Sequence, residues 1–347
     1  MSEIRIGHNE AQQLRDLLTA AGDVVIVTHE APDGDAVGSS TALCRLLRNR
    51  GRKATVVVPD AIAPRLKSVP GANDAIDARH SPEQAKSLIG SAALIVCLDF
   101  NELRRTGALA DIIGASKATR ILIDHHLHPA IEAATIVSQP EYSSTCLLLF
   151  TVLMTIGLAD EIDSVCAESL MTGILTDTGN LSYNSSDPAL YVAVAELLKL
   201  GADKDRIVRE QFTTHSENCL RLNAYAIDRK MEVFLPQGAA LITLTRAELN
   251  SRHYVKGDTE GLVNRPLEIP GVRYSCFLRE EDGYVKVSMR SVGDFPVNEV
   301  CRDHFGGGGH LNAAGGEFPG TLEQAACKFR SLLDENARKY PVKEEKK

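Results

Sequence analysis

The chain has 347 residues, 44% of them apolar, enough to bury a large core and, at this length, to form two domains. Its formal net charge of -8 excludes wide, non-specific wrapping of nucleic acid, which needs an excess of Lys and Arg on one face, yet leaves room for a short anionic substrate. No run approaches the roughly 18 apolar residues of a membrane span, so no membrane contact is expected. The segment MSEIRIGHNEAQQLRDLL lacks the texture of a targeting signal, and the eight cysteines show no CxxC spacing. A cytoplasmic globular protein with inert thiols is therefore expected.

From residue 22 to about 200, short apolar runs alternate with amphipathic ones. DVVIVTH (23–29), KATVVVP (53–59), AALIVCLDF (92–100) and TRILIDHH (119–126) have the continuous branched character of strands covered on both faces. SSTALCRLLRNRG, between the first two, repeats apolar residues at helical spacing and stops at Gly51. This alternation predicts an α/β fold, a parallel sheet with helices on both faces, in which ligands bind beyond the carboxyl ends of the strands. Residues 1–200 form this domain. The polar, helically patterned stretch 201–226 is expected to be a connector. Residues 227–340 change texture: KMEVFLPQGAALITLT and VRYSCFLREEDGYVKVSMRS alternate as strands do, and predict a smaller α+β domain. Asp282-Gly283 favours a tight hairpin because both positions tolerate positive φ. The tail PVKEEKK is charged and expected to fray.

Polar residues that suit metals follow three of the four strands. The first leads into THEAPDGDAVGSS, with His29, Asp33 and Asp35; the third ends in Asp99; the fourth ends in Asp124, His125 and His126. GILTDTGNLSY adds Asp177 after a further apolar stretch, and all four clusters are expected on one sheet edge. Any one of these aspartates alone reads as a cap or turn former. Their repetition points to a site. Carboxylates and imidazoles suit ions such as Mn²⁺ or Mg²⁺, whereas structural zinc usually recruits cysteine. Six or seven ligands suit two ions, an arrangement used for phosphoester hydrolysis.

HEAPDGDAVGSS, the lone aspartate in VCLDF, the triplet Asp124-His125-His126, TDTG and, far downstream, HFGGGGHLNAAGG together resemble the DHH phosphoesterase superfamily with its associated carboxyl-terminal domain. Within it, the likeness is to bacterial oligoribonucleases, some of which are also phosphatases of 3′-phosphoadenosine 5′-phosphate. The resemblance implies that His29, Asp33 and Asp99 hold one Mn²⁺ and that Asp35, Asp99, His125 and Asp177 hold the second, with Asp99 as the bridge. It also implies that His126 acts on the scissile phosphate while Asp124 orients a neighbouring imidazole. Arg105, in RRTG after Asp99, resembles a family arginine near the site but fits a surface helix equally. Gly306, Gly307, Gly308 and Gly309 would bring backbone N–H groups close to an anion, His310 would add a donor, and Arg290 with Ser291 would meet the nucleotide or its terminal phosphate. Leu311, Phe100 and Asn101 depart from the family's usual residues without touching the ligand set.

The expected function is a two-metal hydrolase of short RNA and linear dinucleotides, gripping one end with the second domain while the first cuts. The sequence leaves room for a homodimer. An inorganic pyrophosphatase or exopolyphosphatase shares the chemistry but needs no base platform. A non-catalytic nucleotide sensor would not need an intact ligand set.

Overall fold

The computed structural model describes residues 4–341, so all of the tail but Pro341 lies outside the described residues. The chain divides into two compact units, one ending at Thr214 and the other beginning at His215.

The first unit carries strands β1 (Val24–Val27), β2 (Ala54–Val58), β3 (Ile76–Asp77), β4 (Leu94–Leu98), β5 (Thr119–Asp124) and β6 (Thr135–Ser138). They form one parallel sheet in the order β3-β2-β1-β4-β5-β6. Its helices are α1 (His8–Thr19), α2 (Gly34–Asn49), α3 (Pro82–Ser91), α4 (Ala110–Ala115), α5 (Thr145–Thr155), α6 (Ser164–Asp177), α7 (Pro188–Lys199) and α8 (Lys204–Val208). Alternate strand residues enter two cores. Val24, Ile26, Val96 and Ile123 pack with residues of α1, α2, α5, α6 and α7, whereas Val25, Val27, Cys97 and Leu122 pack with residues of α3 and α4. Burial on both sides is why the central strands are continuously apolar rather than alternating. The short edge strands β3 and β6 have no such run and were not legible in the sequence.

The second unit contains α9 (Glu217–Lys230), β7 (Met231–Phe234), β8 (Ala239–Leu244), α10 (Arg246–Ser251), β9 (Tyr274–Glu280), β10 (Val285–Ser291), α11 (Val297–His304), β11 (Gly308–His310), β12 (Ala313–Phe318) and α12 (Leu322–Lys339). Its mixed sheet runs β11-β12-β10-β9-β8-β7, antiparallel except for β8 beside β9. The β9–β10 hairpin turns at Asp282-Gly283, but of the two only Gly283 takes positive φ, 83°.

The stretch 201–226 does not stand apart as a connector. Ala202 and Ile207 are buried in the first unit's core, and Leu222 and Ala226 in a core of the second. Its few apolar residues recur at helical spacing, and each half is drawn onto its own core.

Candidate metal centre

Sheet order brings the site together. β1 pairs with β2 on one side and with β4 on the other, so the chain moves outward from β1 and later returns to its opposite side. Such a reversal opens a crevice at the carboxyl ends of the two strands. His29 lies two residues beyond β1 and Asp99 one beyond β4, and His29 Nε2 is 3.4 Å from Asp99 Oδ2. Asp33 Oδ2 lies 3.9 Å from the same nitrogen. Beyond β5, His125 Nε2 is 3.6 Å from Asp99 Oδ1, 3.4 Å from Asp177 Oδ2 and 3.9 Å from Asp35 Oδ2. Two sets of ligand atoms, His29/Asp33/Asp99 and Asp35/His125/Asp177, thus adjoin around Asp99. A third grouping joins Asp99, Asp124 and His126. Asp177 is the last residue of α6, so the apolar stretch before it is a helix buried nearly all round, and this one of the four clusters reaches the centre from a helix rather than from the sheet.

Outer contacts aim these ligands. His29 Nδ1 donates to the Glu30 carbonyl at 2.7 Å and His125 Nδ1 to the Tyr142 carbonyl at 3.1 Å, which turns each Nε2 toward the centre. Asp33 Oδ1 caps α2 by accepting from the Asp35 and Ala36 N–H groups, while its Oδ2 faces His29. Asp35 is fully buried, and both its oxygens are held at the start of α5, by the Thr145 N–H at 2.6 Å and the Cys146 N–H at 2.8 Å. The Thr145 hydroxyl donates to Asp99 Oδ1 at 3.0 Å. Asp99 itself takes a left-handed backbone, φ 66°, which Asp and Asn adopt more readily than other residues bearing a Cβ.

Charge in the cluster is crowded. Burial, followed by the charge of Asp99, raises the Asp35 carboxyl to about 7. Burial would lower the His29 imidazole, but the hydrogen bond with Asp99 and the charges of Asp33 and Asp99 outweigh it and raise the group to about 9. Burial likewise works to raise Asp99, yet the His29 hydrogen bond and three neighbouring imidazoles hold it well below the usual carboxylate range. Four carboxylates offer four negative charges, the number that two divalent cations neutralise. Their oxygens and the two Nε2 atoms are hard to borderline donors. The donor set therefore fits a pair of divalent ions.

The family model for the DHH N-terminal domain matches residues 23–174, and that for the DHHA1 domain matches residues 248–339. The chain is 31% identical over 314 residues to the bifunctional oligoribonuclease and PAP phosphatase NrnA of Thermus thermophilus, across 89% of this chain and 88% of that one. The chain belongs to the DHH family. It is accordingly a metal-dependent phosphoester hydrolase. It is also similar to the cyclic-di-AMP phosphodiesterase GdpP of Geobacillus thermodenitrificans, 26% identical over 333 residues, 92% of this chain but 48% of that protein. Among solved structures, the crystal structure of an exopolyphosphatase-related protein from Bacteroides fragilis superposes with a TM-score of 0.92 at 42% identity, covering 96% of this chain and 98% of the other.

The DHH triplet has three distinct settings. Asp124 is buried, with Oδ1 accepting a hydrogen bond from His126 Nδ1 at 2.7 Å and Oδ2 buried without a hydrogen-bond partner among the described residues. His125 is buried against the carboxylates. His126 is the more exposed imidazole, and its Nδ1 lies 3.7 Å from Asp99 Oδ1. Arg105 is half-buried and close enough for its charge to act on His29, so it is not a free surface residue.

In the DHHA1 unit, Arg290 is the last residue but one of β10 and donates to the Met289 carbonyl at 2.9 Å. The Ser291 hydroxyl is engaged internally, donating to the Phe295 carbonyl at 2.7 Å and accepting from Asn312 at 2.9 Å. The glycine run is not an open anion loop along its length. Gly308 and Gly309 belong to β11, which His310 ends opposite Ala313, and the Gly307 N–H is given to the Cys301 carbonyl at 3.2 Å. A Cβ on Gly307 would overlap the Gly315 carbonyl, so close strand approach requires glycine there.

Sequence reading missed several supporting residues. Thr145 and Cys146 were signalled only by the capping pattern SST before an apolar run. Asp60, beyond β2, is buried and accepts the Ala31 N–H at 2.5 Å, bracing a turn in which Ala31 has φ 50°. Gly38 and Gly173 let α2 and α6 meet: a Cβ on Gly38 would stand 2.5 Å from the Ser169 carbonyl.

Proposed function

We propose that this DHH enzyme hydrolyses short oligoribonucleotides and linear dinucleotides to mononucleotides, and also removes the 3′-phosphate of 3′-phosphoadenosine 5′-phosphate. The observation that carries the reading is Asp99, a single carboxylate within 3.4 to 3.7 Å of three imidazoles and shared by two ligand sets. Similarity to NrnA along most of both chains supports the substrate class. His29, Asp33 and Asp99 would hold one cation, and Asp35, Asp99, His125 and Asp177 the other, with Mn²⁺ preferred and Mg²⁺ as a substitute. When bound, the ions supply Lewis acidity, withdrawing charge from the phosphate ester and acidifying water near neutral pH.

The protein's own part is placement and proton transfer. Backbone carbonyls fix the tautomers of His29 and His125, and α5 fixes both oxygens of Asp35. His126, anchored through Nδ1 to Asp124, presents Nε2 as the donor to the leaving oxygen. Arg105 adds positive charge beside His29. Arg290, His310 and the exposed Gly308 of the DHHA1 unit are assigned to the distal nucleotide, whereas Ser291 serves to position its own strand.

No helix among the described residues is long and apolar enough to cross a membrane. No disulfide joins the cysteines among the described residues, which supports a reducing, cytoplasmic setting. Tyr191, Val192 and Leu198 expose an apolar face on α7 that supports a homodimer, to be checked by sedimentation. The decisive assay supplies Mn²⁺ and compares a ribodinucleotide, 3′-phosphoadenosine 5′-phosphate, a cyclic dinucleotide and pyrophosphate. Fastest turnover of the ribodinucleotide is expected. Faster hydrolysis of pyrophosphate would replace this reading with an inorganic pyrophosphatase.

A further inference from the structure

A cavity of about 240 Å³ is walled by two chain segments, one carrying Glu141, Ser143 and Leu147 and the other Asn184, Ser185 and Ser186. Both walls grow from segments that hold the centre. Ser143 follows Tyr142, whose carbonyl takes the His125 proton, and precedes Thr145, whose hydroxyl holds Asp99, by two residues. The opposite wall continues from Asp177 at the end of α6. A water molecule occupies roughly 30 Å³ of liquid, so the cavity has room for a five-membered sugar ring.

The lining chemistry narrows the occupant. Among the described residues no Lys, Arg or His lines the cavity, and Glu141 and Asp187 bring carboxylates to it, so it is unsuited to phosphate. Nor does any aromatic side chain among the described residues line it, which removes a stacking platform for a base. What remains is a polar wall over the apolar floor of Leu147, suited to a neutral group with hydroxyls on its edge and C–H bonds on its face. Ser143 is only 6% exposed, and its hydroxyl is buried with no hydrogen-bond partner among the described residues. A turn about χ1 would present it to the cavity, where a ligand supplies the missing partner. Glu141 is paired through Oε1 with Arg5 at 3.2 Å, and Asp187 Oδ1 accepts the Ala189 N–H at 2.8 Å, so both carboxylates are held in place.

We propose that this cavity is a sugar subsite, in which Ser143, Glu141 and Asn184 read the ribose 2′-hydroxyl of the nucleotide next to the scissile phosphate. The proposal rests on the nucleotide reading above and adds a basis for preferring RNA over DNA, since the 2′-hydroxyl both donates and accepts hydrogen bonds.

The test compares kcat/KM for a ribodinucleotide and its 2′-deoxy counterpart, with Mn²⁺, in the wild-type chain, Ser143→Ala and Asn184→Gly. Glycine is chosen at 184 because Asn184 has φ 46° on an exposed loop. The wild type should prefer the ribose substrate by about tenfold to a hundredfold. Each variant should pull that ratio toward one, whereas general structural damage lowers both rates together. A wild-type ratio near one, or a ratio untouched by both variants, overturns the subsite and leaves the dinucleotide hydrolase standing. Failure of the wild type to cleave either dinucleotide overturns both.

Discussion

Asp99→Asn tests the shared carboxylate directly. Asparagine tolerates the left-handed backbone at this position and its amide oxygen can still accept from the Thr145 hydroxyl, so the change removes charge with little disturbance of shape. Asp99 lies 3.4 Å from His29 Nε2 and 3.6 Å from His125 Nε2, at the junction of the two ligand sets. One unit charge acting over such a distance near a protein surface is worth about 4 kcal/mol. At about 1.4 kcal/mol per factor of ten, its loss should lower kcat/KM about a thousandfold. Mn²⁺-dependent release of mononucleotide from a labelled ribodinucleotide measures the rate, calorimetric titration counts the ions, and thermal unfolding checks the fold. We expect fewer than two Mn²⁺ bound per chain and a melting temperature close to wild type. Activity within tenfold of wild type, with two ions still bound, would refute the bridging role.

Other substitutions probe the supports. Thr145→Val removes the hydroxyl held on Asp99 while keeping the N–H held on Asp35; activity should fall about tenfold to a hundredfold and return in Thr145→Ser, and a Val variant at wild-type rate would show that Asp99 needs no such anchor. In Gly173→Ala the new methyl would overlap Cys146 Sγ and stand 2.7 Å from Asp35 Oδ1, so urea unfolding should show a loss of about 1 to 3 kcal/mol together with weakened Mn²⁺ binding. Glu248 resists burial through hydrogen bonds from Thr245, Tyr225 and Lys230, which hold its carboxyl at about 2, below its ordinary 4.5. Its contribution should be complete above pH 4.5 and fade as pH falls toward 2. Glu248→Gln should therefore flatten the fall in urea midpoint over that window, and an unchanged slope would assign the acid sensitivity elsewhere.

The local chain was sufficient for what depends on near neighbours. VVIV, LIVCL and TRILID read as strands because burial on both faces demands uninterrupted apolar residues, and the acids and imidazoles after them stood out because such runs have no use for polar groups. His29, Asp33, Asp35, Asp99 and His125 were legible in this way, and Asp177 after a further apolar stretch; the tertiary structure brings these side chains close together. What that structure alone decided is adjacency. Placing β4 beside β1 rather than beyond β3 lets ligands 70 residues apart in sequence, His29 and Asp99, come within 3.4 Å. The same packing seats Asp35 at the start of α5, draws Asp177 in from a helix, and turns a glycine run that reads as a loop into an edge strand. Periodicity reports which face of an element is buried, but crossovers and close contacts between distant segments choose what that face meets.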